Sequence, residues 1–168
     1  MIQTCHEYGI ECYAWINPYR YHTSKNGTHG GGALDYEVTH PEWLMSGTTS
    51  NTVLNPAKKE VLQRILDVTR EIVTNYDVDG VVFDDYFYPQ GIAKEFDFEV
   101  FKKAGMASLN AFRKDNINKL LSGLYSAIKA ENKNVIFGIS PAGNIDNVRG
   151  YICLDIDTIL SKKGYVDY

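Results

Sequence analysis

Two adjacent aspartates, Asp84 and Asp85, follow an apolar run at 80–83 and come directly before an aromatic stretch at 86–88. Such a run is typical of a strand in the middle of a parallel sheet, and in α/β folds the residues past the carboxyl end of such a strand form the active site. Two carboxyl groups that flank a glycosidic bond, about 5 Å or roughly 6.5–9.5 Å apart, are the usual means of cleaving it. We therefore predict Asp84 as a catalytic carboxylate and Asp85 as its supporting or partner acid.

The aromatic residues after the aspartates favour a sugar site. Successive residues of a strand point to opposite faces, so a regular strand cannot aim both carboxylates at one site. The pair could instead serve structure, by bonding loop amides or pairing with Arg20. However, the flat CH face of a sugar packs on aromatic rings, and a tyrosine hydroxyl can bond sugar hydroxyls. We predict that Tyr86 and Tyr88 line sugar subsites, with a hydrophobic plug as the alternative for these rings.

Two further strand ends offer polar groups for the same site. An amide, a guanidinium and two aromatic rings end the strand near 10–17, and these polar groups can bind hydroxyls or keep a carboxylate ionised. A Gly- and Asx-rich loop follows the strand near 134–140 and supplies Asp146 as a candidate second acid, although such loops also form without any function. The substrate-binding candidates from these two ends are Trp15, Asn17, Tyr19, Arg20, Ser140 and Asn144.

These residues require a scaffold of alternating strands and helices. A helix that ends at Gly9 comes first, and a long loop fills 18–54. The hydrophobic pattern predicts strands near 10–17, 79–84, 134–140 and 165–168. It predicts intervening helices that begin at Asn55-Pro56, span roughly 99–131 and span about 155–163. This alternation means parallel pairing through right-handed crossovers.

A doubly wound sheet and a (β/α)8 barrel both fit this alternation. A dinucleotide-binding sheet carries a Gly-rich phosphate loop, and no strand here is followed by GxGxxG or GxxxxGK[ST]. A barrel gathers polar strand ends at one mouth, as Asn17, Asp84 and Ser140 would be. The chain has 168 residues, against about 250 in a typical barrel. We therefore predict an α/β fragment with about strands 3 to 6 of a TIM barrel, in which residues 1–168 are one domain segment incomplete at both ends.

Composition narrows the classes of partner. The chain is 44% hydrophobic and 23% charged, with a formal net charge of −4 and no basic run, which argues against nucleic acid as a partner. No apolar run is long enough for a transmembrane segment, and the first residues lack the pattern of a signal peptide. Three cysteines without CxxC and four histidines without HxH or HExxH predict buried thiols and surface or capping histidines. We expect no metal and no cofactor.

Three ordered motifs and the last four residues resemble the bacterial glycosyl-hydrolase-like family 10, a group of TIM-barrel domains formerly of unknown function. The resemblance covers nearly the whole chain. The spacing from Gly80 to Asp84 is also similar to that in α-amylase and α-galactosidase barrels, although Val82 stands where those groups usually have a basic residue. The motifs are Ala14-Trp15-Ile16-Asn17-Pro18-Tyr19-Arg20, Asp79-Gly80-Val81-Val82-Phe83-Asp84-Asp85-Tyr86-Phe87-Tyr88-Pro89, Phe137-Gly138-Ile139-Ser140-Pro141 with Gly143-Asn144-Ile145, and Tyr165-Val166-Asp167-Tyr168.

The resemblance implies a glycosidase that hydrolyses O-glycosyl bonds in a bacterial polysaccharide, with peptidoglycan glycan strands as the substrate class. It also implies a secreted or cell-envelope setting. Two other classes of function stay open. One is a non-catalytic glycan-binding barrel module, which would bind sugar without turnover. The other is a metal-dependent deacetylase-type hydrolase that would use Asp84 and Asp85 as metal ligands.

Overall fold

A computed structural model describes residues 1–22, 35–46, 52–84, 88, 91–150 and 153–168. Its strands are β1 (Tyr13–Ile16), β2 (Arg20–His22), β3 (Leu44–Ser46), β4 (Thr52–Leu54), β5 (Gly80–Asp84) and β6 (Ile136–Ser140). Its helices are α1 (Ile2–Glu7), α2 (Tyr36–Thr39), α3 (Lys59–Asn75), α4 (Phe98–Ala104), α5 (Leu109–Glu131), α6 (Ile145–Gly150) and α7 (Ile156–Ser161). The chain is therefore a mixed α/β structure. Among the described residues, no helix is both long and apolar enough to cross a membrane.

A parallel sheet of order β1-β5-β6 forms the centre of the molecule. Trp15 pairs with Val82, and Val82 pairs with Gly138. Residues 165–168 run beside β6, where the Asp167 N–H donates to the Phe137 carbonyl at 2.7 Å. The predicted parallel pairing of β1, β5 and β6 is confirmed. The strand predicted over 165–168 is not formed, although these residues make backbone hydrogen bonds with β6.

One face of this sheet packs against α3 and α5. Val81, Phe83 and Phe137 on that face are fully buried. The facing side chains of α3 recur every four residues, and those of α5 recur at three- and four-residue spacing, as an amphipathic helix requires. The buried helical residues are Val61, Ile65, Thr69, Val73, Phe112, Arg113, Ile117, Leu120, Leu121, Leu124, Ala127 and Ile128. This helix-covered face holds the main hydrophobic core.

The opposite face carries the rings of Tyr13, Trp15 and Tyr168, and we call it the aromatic face. The Tyr13 and Tyr168 rings meet edge to face with centroids 6.4 Å apart. Each of these two rings lies over a glycine of a neighbouring strand, so a Cβ at Gly80 would collide with Tyr13 and one at Gly138 with Tyr168. The glycines therefore leave room for the two tyrosine rings to pack closely against the sheet.

The predicted loop over 18–54 is wrong in part. Within its described residues, β2, β4 and β3 form a second, antiparallel sheet, in which Met45 pairs with Val53. The helix α2 precedes β3, and Asp35 caps it by accepting a hydrogen bond from the Glu37 N–H at 3.1 Å. These strands have three residues each, which is too short for a period-2 pattern to show in the sequence.

Two helix boundaries also differ from the predictions. The helix expected over 99–131 is two helices, because Gly105 ends α4 with a left-handed φ of 64° and Ser108 caps α5 by accepting from the Ala111 N–H. The helix expected from Asn55 begins instead at Lys59. Buried Asn55 makes a turn by accepting from the Ala57 N–H, and its amide donates to the Phe96 carbonyl at 3.0 Å.

Asp79 lies just before β5 and connects three elements at the amino end of the sheet. Its Oδ2 accepts hydrogen bonds from the Cys12 N–H at 2.7 Å and from His6 Nε2 at 2.8 Å. The hydrogen bond from Cys12 is the largest cause that lowers the pKa of Asp79, and the bond from His6 is the second. The bond to Asp79 in turn raises the pKa of His6. One carboxylate thus links α1, β1 and β5. His6 is therefore more than the surface or capping residue that the sequence predicts.

The described cysteines are free thiols. Cys153 is buried as expected, whereas Cys5 and Cys12 are only partly buried. Contact with the Cys5 thiol, followed by burial, raises the pKa of Cys12. Burial likewise raises the pKa of Cys153. Cys12 and Cys153 are therefore held as neutral thiols, which suits packing better than chemistry.

Candidate functional site

The ends of three parallel strands come together at the carboxyl edge of the central sheet. Asp84, the last residue of β5, lies in register with Ser140, the last residue of β6. Ile16 pairs with Phe83, so Asn17 is the next residue of its strand toward the same edge. The structure therefore brings together the three polar strand ends that the sequence places at one mouth.

Alternation along β5 decides the direction of the Asp84 side chain. Gly80, Val82 and Asp84 share one side of the strand, and Gly80 lies under the Tyr13 ring. Asp84 consequently belongs to the aromatic face, away from α3 and α5, and it is half-buried there. A carboxylate in this position can act on a ligand that lies over the carboxyl edge of the sheet.

Asn17 and Arg20 form a local pair at the end of β1. With the Asn17 amide turned so that both groups are satisfied, its oxygen accepts from Arg20 Nη1 at 2.8 Å and from Nη2 at 3.2 Å. The guanidinium is exposed and the amide is partly buried. This arrangement leaves the Asn17 NH2 group as a donor at the strand end, and it fixes the guanidinium beside that end.

Tyr19 and Tyr88 lie in the core rather than on an open surface. Each residue is 1% exposed, and burial is the main cause that raises the pKa of both phenols. Their positions differ from the predicted sugar-lining role, because a ring with so little exposed surface has no face on which a sugar can stack. Tyr88 fits the hydrophobic plug that the sequence offers as the alternative. Asp85 and Tyr86 lie outside the described residues.

Other candidates lie at the rim of the sheet or on its aromatic face. Trp15 is 64% exposed on that face, so its ring is accessible for stacking. Asp146 is exposed in the first turn of α6, where its N–H donates to Asn144 Oδ1 at 2.9 Å. Asn144 also accepts from the Asn147 N–H at 3.2 Å and thereby caps α6. The role of Asp146 as the second acid stays a prediction.

No group of three or more histidine, cysteine, aspartate and glutamate side chains within the described ranges is placed to hold a metal ion. The chemistry available at the carboxyl edge is that of a half-buried carboxylate, a hydroxyl at Ser140, an amide at Asn17 and a guanidinium at Arg20. A carboxylate can serve as nucleophile, base or acid, and the neighbouring groups can bind hydroxyls. Such a set can bind hydroxyl groups and act on a bond beside them.

Solved structures share this arrangement of strands and helices. The chain is similar to the α-L-fucosidase isoenzyme 2 from Paenibacillus thiaminolyticus, with a TM-score of 0.60 and 17% identity, over 89% of this chain and 23% of that one. It is also similar to Aspergillus fumigatus Ega3, whose structure was solved with galactosamine, with a TM-score of 0.51 and 15% identity, over 88% of this chain and 49% of that one. At such identities the likeness defines the fold, which is one that glycoside hydrolases use.

The chain belongs to the family described as glycosyl hydrolase-like 10, whose model matches residues 1–168. It is 35% identical over 152 residues to the glycosyl hydrolase YngK of Bacillus subtilis (strain 168), covering 85% of this chain and 29% of that protein. It is 33% identical over 154 residues to the glycosyl hydrolase DigH of Escherichia coli (strain K12), covering 85% of this chain and 35% of that protein. The chain thus spans about a third of the length of these relatives. The expected family is confirmed, and a glycosidase type of function is supported.

Proposed function

We propose that this chain is the part of a TIM-barrel glycosidase that carries a catalytic carboxylate, Asp84, on about the fourth of eight strands. The observation that carries the proposal is the position of Asp84, at the carboxyl end of the central parallel strand and on the face that the helices leave open. Enzymes of this architecture place their catalytic groups at that edge. The family and the likeness to solved glycosidases support the same conclusion.

Asp84 acts either as the nucleophile or as the acid that protonates the leaving oxygen. In both cases the bond between the anomeric carbon and the glycosidic oxygen breaks, the leaving sugar takes a proton, and water supplies the new hydroxyl group. A second carboxyl group is needed, and Asp85 and Asp146 are its candidates in this chain. Asn17, Arg20 and Ser140 bind sugar hydroxyls beside the cleaved bond, and Trp15 stacks on a sugar ring.

The substrate class that we propose is a bacterial polysaccharide, in particular peptidoglycan glycan strands without their peptides. This proposal rests on the family, which the motifs at 14–20 and 79–89 carry. A substrate of this kind places the enzyme in the cell envelope or outside the cell.

The test is a digest of peptide-stripped glycan strands by the full-length protein and by its Asp84→Asn variant, with products measured by mass spectrometry. We expect the substitution to lower kcat about 10²- to 10⁴-fold, because it removes the acid, base or nucleophile. The melting temperature should stay close to that of the wild type. Equal turnover by both proteins would remove Asp84 from the mechanism.

Two parallel measurements separate the remaining classes of function. Binding of glycan without turnover, unchanged by Asp84→Asn, would indicate a glycan-binding module. Activity that a chelator abolishes would indicate a metal-dependent hydrolase. An Asp146→Asn variant assayed beside Asp84→Asn tests the second acid, since a comparable loss in kcat is expected only if Asp146 reaches the cleaved bond.

A further inference from the structure

Three buried side chains, those of Tyr88, Asp97 and Arg113, form one connected cluster with the half-buried Asn116. Arg113 of α5 forms a bidentate pair with Asp97, with Nε to Oδ2 at 2.7 Å and Nη2 to Oδ1 at 2.8 Å. The guanidinium lies over the Tyr88 ring at 5.1 Å from its centroid. Asn116 Nδ2 donates to the Tyr88 hydroxyl at 2.9 Å. We call these four residues the Tyr88 anchor.

The interior of the Tyr88 anchor is closed to water. The Asp97 side chain is 0% exposed and that of Arg113 is 10% exposed. A charge pair in such a place is stable only when its hydrogen bonds are made, and both carboxylate oxygens of Asp97 have a guanidinium donor. The position of the Arg113 side chain is therefore well determined, and its guanidinium and the Asn116 amide both contact Tyr88.

The Tyr88 anchor is attached to the same framework as the catalytic strand. Arg113 and Asn116 lie on α5, whose buried residues pack in one core with Val81 and Phe83 of β5. Asp84 is held at one side by its register with Ser140. Tyr88 comes four residues after Asp84 in the sequence. Tyr88 and β5 thus pack in one core against α5.

We propose that Tyr88, held by Asn116 and Arg113, is a positioning residue for the acidic end of β5. This proposal rests on the proposed function. Tyr88 touches no sugar, and its role is to keep the carboxylate of Asp84 at the geometry that the reaction requires. A displacement of about 1 Å in a reacting group can cost roughly 100-fold in rate. The hydroxyl of a buried tyrosine therefore affects kcat from outside the site.

The variant Tyr88→Phe in the full-length protein tests this proposal, because it removes the hydroxyl and keeps the ring under Arg113. We expect kcat on peptide-stripped glycan strands to fall about tenfold while KM stays within about twofold, since the lost constraint affects the reacting geometry rather than the binding of sugar. The matched control is Tyr125→Phe on α5, the helix that carries Arg113 and Asn116. The centroid of the Tyr125 ring lies 5.4 Å from Lys129 Nζ. This control should leave both constants unchanged.

A second variant, Asn116→Leu, approaches the same hydrogen bond from its donor. It should reproduce the loss in kcat, and the double variant Tyr88→Phe/Asn116→Leu should lose little more than either single one, because both remove one interaction. Additive losses would overturn the idea that the two residues act as a unit. The pH profile of kcat should also shift in both single variants, since displacing a carboxylate changes its surroundings.

Three results would contradict a positioning role in different ways. A raised KM with an unchanged kcat in Tyr88→Phe would make Tyr88 a substrate-lining residue, as the sequence predicts. A lowered melting temperature with both constants unchanged would make it a structural plug only. If Asp84→Asn keeps full activity, the proposed function itself fails. If Asp84→Asn is inactive while Tyr88→Phe has the kcat and KM of the wild type, the positioning role alone fails.

Discussion

The two ends of β5 each have an aspartate, and the two side chains have different surroundings. Asp79, before the strand, accepts hydrogen bonds from elements as distant as α1 and β1. Asp84, at the other end, lies beside polar strand ends on the face that the helices leave open. Barrel proteins separate stability and activity between the two ends of their strands in this way. From this comparison we expect position along a strand, as well as residue type, to decide what a carboxylate does.

The largest effect on the fold is expected from Asp79→Ala. The change removes the acceptor of the Cys12 N–H and of His6 Nε2, so α1 loses its link to the sheet and the melting temperature falls. Activity per folded molecule should stay close to that of the wild type, the reverse of Asp84→Asn. Thermal unfolding and a kcat measurement on the same samples separate the two effects.

The control for this variant is Asp77→Ala. Asp77 is two residues away, and its side chain is 93% exposed and 3.5 Å from His6 Nδ1. An exposed ion pair adds little to stability, so this variant should melt close to the wild type. If Asp77→Ala and Asp79→Ala lower the melting temperature equally, the hydrogen bonds of Asp79 are not the source of the stability at the amino end.

The pH dependence of stability tests the contact between Asp79 and His6. Asp79 has a lowered pKa, so its contribution is present above its ordinary value of 3.8 and is lost as pH falls through the folded value. His6 has a raised pKa, so its contribution is present below its ordinary value of 6.5 and is lost as pH rises through the folded value. The melting temperatures of wild type and Asp79→Ala should therefore differ most between about pH 4 and 6.5.

The variant His6→Gln tests whether His6 causes the loss of stability at the upper end of this pH range. A glutamine amide can still donate to Asp79, but it has no proton to lose in this range. The loss of stability above about pH 6.5 should disappear in this variant, whereas the loss below about pH 4 should remain. A wild-type protein whose melting temperature is independent of pH from 4 to 8 would show that the contact contributes nothing measurable.

An effect on packing alone is expected from Gly80→Ala, at the start of β5. The added methyl group collides with the Tyr13 ring and must displace it. Over-packing of this kind costs about 1–3 kcal/mol, and denaturant unfolding measures it. Because Gly80 lies at the amino end, kcat should not change. A loss of activity larger than the loss of folded protein would show that the two ends of the strand are coupled.

The sequence predicts what depends on local pattern. The apolar run of β5 and the polar residues that end β1, β5 and β6 locate Asp84 beside Ser140, and the structure agrees. The burial of Tyr88 is not predictable in this way, because it depends on Asn116, which is 28 residues away. The His6 to Asp79 bond spans 73 residues and has no local signature at all. The three-residue strands of the second sheet also lack a detectable period.

The fluorescence of Trp15 can be used to follow changes at the aromatic face. The chain has two tryptophans, and the other, Trp43, stacks on His40 with ring centroids 4.1 Å apart. The indole of Trp15 is 64% exposed, so its emission responds to anything that displaces water from this side of the sheet. Replacing Trp43 by phenylalanine leaves Trp15 as the one fluorophore of its kind in this chain. Its wavelength then reports sugar stacking or covering by another segment without any added label.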